Sequence, residues 1–215
     1  MALVNGIASL QNFSVPMAGN QSANNTGLLM PKLKFRYRAI FDNFGVASNT
    51  GGRMEITKQL MTFARPQVTF EPVTLPVYNS QVYVAGRPVW NPVSVTIRDD
   101  AGGLVTTQIG EQLQKQFDFY EQASATSGGS YKFQTTLQLL DGANGAIDPV
   151  VLEEWQLVGC FLTDVNYNDM DYGSNDPVTI TMSIRYDNAL QTVGGSVGSE
   201  TGLTSFNVTQ VSAAL

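Results

Sequence analysis

The sequence has no histidine, one cysteine and little charge. Of its 215 residues, 12 are basic and 18 acidic, so 14% are charged, where a typical soluble domain carries about 25%. Without histidine, Ser-His-Asp and Cys-His nucleophilic catalysis are excluded, as are His-ligated zinc and iron sites. A lone Cys160 forms neither an internal disulfide nor a thiolate cluster. Inside the apolar run from Val158 to Leu162 it reads as a small buried residue. No stretch approaches the ~18 consecutive apolar residues of a membrane span. The start, Met1-Ala2-Leu3-Val4-Asn5, has no basic region and no long apolar run, so no signal peptide is expected. The glycine pairs at 51, 102, 128 and 194 lack the Lys-Ser/Thr of a phosphate loop and the dinucleotide spacing, and read as turns. These absences leave no enzyme and no cofactor to expect.

The charge that remains is sorted along the chain. Residues 1–98 hold nine basic and three acidic side chains, net +6, and residues 99–215 hold three basic and fifteen acidic, net −12. A basic half and an acidic half suit a head-to-tail contact, in which one copy's positive face meets the next copy's negative face and the contact closes into a ring or runs on. The alternative is that the halves mix within one fold and cancel. Residues 1–31 carry no charge and residues 188–215 only Glu200. Both ends hold scattered apolar residues such as Leu3, Ile7, Phe13, Phe206 and Val211, unlike charged disordered tails, and suit extended arms on a neighbouring copy.

Between the ends the pattern is mostly β. Leu33, Phe35, Tyr37, Ala39 and Phe41 alternate with Lys34, Arg36, Arg38 and Ile40, predicting a half-buried strand with a basic outer row. Residues 42–64 begin as a Gly- and Asn-rich loop and return through Met54, Ile56, Leu60 and Met61; a long loop in a compact domain is usually functional or an interaction element. Short strands follow at Gln67–Phe70, Val82–Val84 and Val93–Ile97, and prolines 66, 72, 76, 88 and 92 confine them to ends, edges or bulges. Trp90 reads as a hairpin packing residue more than an exposed anchor. Val105, Ile109, Leu113, Phe117 and Tyr120 form the apolar stripe of a helix over about 104–124. Strands resume at 131–139, 155–162 and 178–186, the last with Val178, Ile180, Met182, Ile184 and Tyr186 strictly alternating with Thr179, Thr181, Ser183 and Arg185. The expected fold class is mainly β: an antiparallel sandwich or barrel with one flanking helix and extended terminal arms.

The acidic residues do not compose an obvious site. Asp164 to Asp169, with Asp171 and Asp176, is the densest patch. A calcium loop of the EF-hand kind requires Gly at its sixth position and Glu at its twelfth, where this chain has Asp169 and Asn175. The adjacent pairs Asp99-Asp100 and Glu153-Glu154 point to opposite faces of any strand and read as element ends.

The segment Val82-Tyr83-Val84-Ala85-Gly86-Arg87, followed by Trp90 and by Val93-Ser94-Val95-Thr96-Ile97, resembles the hairpin-and-strand signature of contractile-tail bacteriophage tail tube proteins. Gln114-Lys115-Gln116-Phe117 falls where that family places its helix, and Asp176 to Asn188 looks like its final core strand. The resemblance covers roughly residues 32–190, between arms at 1–31 and 191–215. It implies a structural virion protein that forms hexameric rings, stacked into the inner tube of a tail assembled in the bacterial cytoplasm. It also implies a sheath around the tube, tape measure protein and DNA passing through it, and baseplate and tail terminator proteins at its ends. The loop contacting neighbouring subunits corresponds to Asp42, Arg53, Met54, Ile56, Leu60 and Met61. Charge pairing between copies falls to Lys34, Arg36 and Arg38 against Asp164, Asp169 and Asp171. Because a basic bore would hold phosphates and a neutral or acidic one would not, Thr179, Thr181 and Ser183 are candidates for the bore face. Two other readings stand beside this one: the tube of a related contractile injection or type VI-like secretion particle, and a monomeric ligand- or calcium-binding β domain.

Overall fold

A computed structural model describes residues 31–45, 55–143, 149–195 and 197–198. Both predicted arms, apart from their innermost residues, lie outside the described residues. The chain divides into the units Met1–Arg36 and Tyr37–Leu215. The described end of the first is a turn, closed by the Arg36 N–H donating to the Leu33 carbonyl at 3.2 Å.

The second unit holds eleven strands among the described residues: β1 Tyr37–Asp42, β2 Leu60–Phe63, β3 Gln67–Val77, β4 Ser80–Asn91, β5 Val93–Arg98, β6 Phe117–Asp118, β7 Ala123–Ser124, β8 Phe133–Leu140, β9 Val151–Asn166, β10 Thr179–Arg185 and β11 Asn188–Val193. Helix α1 spans Leu104–Gln116, and a single turn, α2, spans Gly128–Tyr131. Every strand pairing is antiparallel. One half of the sandwich runs β1-β8-β9-β11 and the other β9-β10-β5-β2, so β9 belongs to both. Alternation along each strand puts one set of side chains between the halves. Ala39, Phe41, Phe133, Leu137 and Leu157 come from the first half and Val93, Val95, Ile97, Ile180, Met182 and Ile184 from the second, all buried in one cluster with Val105 and Ile109 of α1. Each of the larger of these side chains contributes roughly 1.5–3 kcal/mol on leaving water. Cys160 is buried in the same cluster.

The changeover in β9 falls at Gly159, which sits at φ 72. Residues up to Val158 pair with β8 and β11, Cys160 still opposes Phe133 of β8, and the residues from Phe161 onward pair with β10. A Cβ there would overlap the Asp187 carboxylate, which is itself held by Lys132 Nζ at 2.6 Å, and the Asp187 N–H donates to the Val158 carbonyl at 3.0 Å.

Helix α1 begins as the sequence implies and ends sooner. Asp99 and Asp100 mark its start. The Asp100 carboxylate accepts the Val105 N–H at 3.1 Å and Asp99 accepts the Thr106 hydroxyl at 2.7 Å, as N-terminal acids do. The stripe predicts helix to about residue 124, but it stops at Gln116. Asp118 outcompetes the next turn: its carboxylate accepts the N–H groups of Tyr120 and Glu121 and the Gln114 amide. The chain folds into the small hairpin of β6 and β7 instead. Local side-chain bonding of this kind is the reason Asp disfavours helix interiors.

The predicted strand from Leu33 also begins late, at Tyr37. Its partner β8 ends at Leu140, one residue beyond the Tyr37–Leu139 pair, so earlier residues have no ladder to join. The predicted loop 42–64 is likewise shorter. Glu55–Gln59 is a 3-10 turn and Leu60–Phe63 is an edge strand on β5.

Replacing Gly159 by Ala is expected to cost about 1–3 kcal/mol, the usual size of an unfavourable left-handed backbone. Urea unfolding of Gly159→Ala against the parent chain measures it.

Candidate assembly interface

Among the described residues, the strands β3 and β4 pair only with each other. They form a ribbon of eleven and twelve residues, much longer than the short segments predicted between prolines. The prolines fit because both strands of a two-stranded ribbon are edges, and a missing N–H is tolerated on the open side. Pro72 follows a register shift at which Gly86 and Arg87 face Glu71. At that bulge Gly86 passes so close to the Glu71 carbonyl that a Cβ would overlap it.

Opposed residues of an antiparallel pair share a face. Beyond the bulge Val73 opposes Val84 and Leu75 opposes Val82, with Val77 next along β3. These five aliphatic side chains are 47–52% exposed and lie on one face of the outer ribbon. The other face carries Phe70, Pro72 and Tyr83, also exposed. An isolated hairpin is marginal in water, and contiguous exposed apolar patches mark contact sites.

At the ribbon's root Trp90 packs on Tyr186, ring centroids 5.8 Å apart, and donates from Nε1 to Asn188 Oδ1 at 3.2 Å. It is a packing residue at the base of the hairpin.

The loop-interface candidates divide. Arg53 and Met54 lie outside the described residues. Ile56 is 2% exposed and belongs to the chain's own core, and Leu60 packs against that core from β2. Ile56 is therefore corrected from a contact with a neighbour to a contact within the fold, while half-buried Leu60 keeps an open side; an apolar residue in a polar run is drawn to the nearest core. Met61 stays exposed at 41%, its carbonyl accepting the Tyr37 hydroxyl at 2.7 Å, and Asp42 ends β1 opposite Gln134. Helix α1 fixes the start of this segment. Buried Gln112 accepts the Gly45 N–H at 2.9 Å and donates to the Tyr131 carbonyl at 2.8 Å, and Lys115 donates to the carbonyls of Asn43 and Gly45.

The basic row does not form as one. Lys34 and Arg36 lie in the turn before β1. Arg38 is on β1 and is used internally: its Nε donates to Gln138 Oε1 at 2.6 Å, and the Gln138 amide donates to Glu154 Oε2 at 2.5 Å. Thr192 and Gln156 donate to Oε1 of the same carboxylate at 2.6 and 3.2 Å. A polar ladder thus crosses β1, β8, β9 and β11. These bonds, that of Thr192 first, hold the Glu154 carboxyl below its ordinary range.

Thr179, Thr181 and Ser183 stand on the outer face of β10. Thr181 is opposed by Thr96 and Asn166, and Ser183 by Ser94 and Asp164. The Asn168 amide reaches back to the Thr179 and Thr181 hydroxyls at 2.9 and 3.3 Å. The result is a face of hydroxyls and amides, with Arg98 and Arg185 at its ends. Asp164 belongs to this face. Asp169 and Asp171 lie in the exposed connection after β9, where Asp171 accepts the Gly173 N–H at 2.9 Å. Among the described residues no three Cys, Asp or Glu side chains converge as metal ligands, and no helix is long and apolar enough to cross a membrane.

The fold is that of tail-tube and tube-cap proteins. The tube-terminating cap of the anti-feeding prophage aligns with 82% of this chain and 99% of its own at TM-score 0.58 and 12% identity. A chain of the PVC sheath–tube complex, an extracellular contractile injection system, aligns with 76% of this chain and 92% of its own at TM-score 0.55 and 11% identity. The SPP1 tail tube aligns with 82% of this chain and 88% of its own at TM-score 0.50 and 12% identity. No protein-family model matches the sequence, and no curated protein matches it.

Two outcomes follow. Because the Glu154 carboxyl is held low, its contribution is complete above the ordinary carboxylate pKa and disappears as pH falls through the folded-state value. Glu154→Gln is expected to flatten the acid limb of stability against pH, followed by thermal unfolding at stepped pH. Burial pushes the Cys160 thiol up to about 11, so thiol reagents at neutral pH are expected to modify it only after denaturation, read by absorbance of the released chromophore.

Proposed function

We propose that this protein is the ring-forming subunit of a tail tube: copies associate into hexameric rings, and the rings stack into the inner tube of a contractile bacteriophage tail. The observation that carries this reading is the β3–β4 ribbon. It presents Val73, Leu75, Val77, Val82 and Val84 on one face, each about half exposed among the described residues. A ribbon so exposed is stabilised by docking on a second copy, and tube and cap proteins with the same fold act as parts of assemblies. The opposed charge of the two halves supports head-to-tail association.

In this reading Thr179, Thr181 and Ser183 face the bore. A surface of hydroxyls and amides offers few fixed cations to hold phosphates as DNA passes. The partners are further copies of the chain, the sheath outside, the tape measure protein inside, and the baseplate and tail terminator proteins at the ends; the place is the virion tail, assembled in the host cytoplasm. Met61, Asp42, Asp169 and Asp171 remain candidates for contacts between copies.

A second reading, the tube of a contractile injection particle, is favoured by the higher TM-scores of the anti-feeding prophage and PVC chains, 0.58 and 0.55 against 0.50 for the SPP1 tube. Its cargo would be an effector instead of DNA.

Negative-stain microscopy of concentrated protein tests the assembly. Uniform hollow rings or tubes are expected, and a stable monomer by light scattering at high concentration overturns it. Leu75→Asp is expected to leave the monomer folded and raise the assembly threshold roughly tenfold or more, about 1.4 kcal/mol per contact. A predominantly basic bore in the assembled tube would overturn the lining assignment.

A further inference from the structure

The ribbon leaves the body through a break in the hydrogen-bond ladder. β2 and β5 are paired up to Phe63–Val95, and the Ala64 N–H still reaches the Ser94 carbonyl at 2.9 Å. The ribbon's own ladder begins at Gln67–Asn91. Between the two ladders stand Pro66 on one strand and Pro92 on the other. Neither has an N–H to donate, so the two ladders are separate sheets. A ribbon joined only through such a break is hinged, and its direction is set by whatever side chains grip it at that level.

Among the described residues, each strand has such a grip. Beside Pro66, Arg65 Nη2 donates to Glu153 Oε1. Glu153 is 3% exposed and takes a second bond at the same oxygen from Trp155 Nε1 at 2.7 Å. Beside Pro92, Trp90 lies on Tyr186 and donates to Asn188 Oδ1, an oxygen fixed in turn by the Ala189 N–H at 2.9 Å. The two grips come from different parts of the sandwich, Glu153 from β9 and Asn188 from the start of β11, so together they restrain rotation as well as bending.

We infer that Arg65–Glu153 and Trp90–Asn188 are positioning contacts that fix the angle at which the ribbon projects, presenting its aliphatic face to the next copy already oriented. Association then avoids the cost of ordering a swinging arm at the moment of contact. The inference rests on the tube reading for the arm's purpose and on the geometry alone for its rigidity.

Spin labels at Asn79→Cys on the exposed tip and Thr126→Cys on the body report the angle, since buried Cys160 takes no label. The parent chain is expected to give a narrow distance distribution. Arg65→Gln combined with Trp90→Phe is expected to broaden it and to raise the concentration needed for ring formation roughly tenfold or more, with the thermal midpoint of the monomer moving by only a few degrees. Arg65→Lys, which keeps the cation, should stay close to the parent. Trp90→Phe alone, which keeps an aromatic ring on Tyr186 and loses the indole N–H donor with part of the ring area, gives a milder broadening should the double variant unfold. A distribution as narrow in the variants as in the parent overturns the inference. If the parent chain forms no rings at any concentration, the tube reading fails, and the distance distributions still decide whether the grips hold the arm.

Discussion

The fold depends on one strand being shared by two sheets. β9 spans sixteen residues, on the order of 50 Å at ~3.3 Å per residue, and gives its first part to one half of the sandwich and its last part to the other. The changeover requires a residue without a Cβ, and Gly159 supplies it. Everything that touches the changeover is arranged around it. Asp187 closes over the glycine and Lys132 holds Asp187. Just beyond, Gln116 of α1 donates to the Leu162 carbonyl and accepts the Leu162 N–H, satisfying a strand edge that has lost its neighbour. The helix is thus part of the sheet's hydrogen bonding as well as a lid on its core.

That arrangement sets where the surfaces of contrasting chemistry lie. The β1-β8-β9-β11 half turns a polar ladder outward, with Arg38, Gln138 and Glu154 satisfying one another. The other half turns out Ser94, Thr96, Thr181 and Ser183. Neither face invites apolar burial. A continuous aliphatic face lies instead on the ribbon, which grows from the β2–β5 end of the sandwich. The described polar faces thus lie on the body and the aliphatic face on the projection.

Much of the body was legible in the sequence. Val178 to Tyr186 alternates because β10 has one core face and one open face, and the hydroxyl residues fell on the open face accordingly. Asp99 and Asp100 read as element ends because acids favour a helix start. Legibility failed where a local bond competed with the periodic signal. Phe117 and Tyr120 continue the helical stripe, yet Asp118 captures the backbone and ends it. Lys34 and Arg36 continue the period of two, yet β8 is too short to pair with them. Ile56 lies in a polar stretch whose apolar partners are far away in sequence. The ribbon was hidden by its prolines, which suggest broken strands unless both edges are known to be open, and Arg65–Glu153 carried no signal because its partners are 88 residues apart.

The same prolines bear on how the ribbon behaves while its aliphatic face is uncovered. A valine-rich ribbon with two open edges has the composition of a cross-β template, in which each strand zips onto the next through its backbone. Pro72, Pro76 and Pro88 remove donors along those edges, and the bulge at Gly86 twists the ribbon away from flatness. Edge-to-edge growth into fibrils is blocked, while the aliphatic face stays available for face-to-face packing. The ribbon can therefore expose its aliphatic face without its edges seeding amyloid.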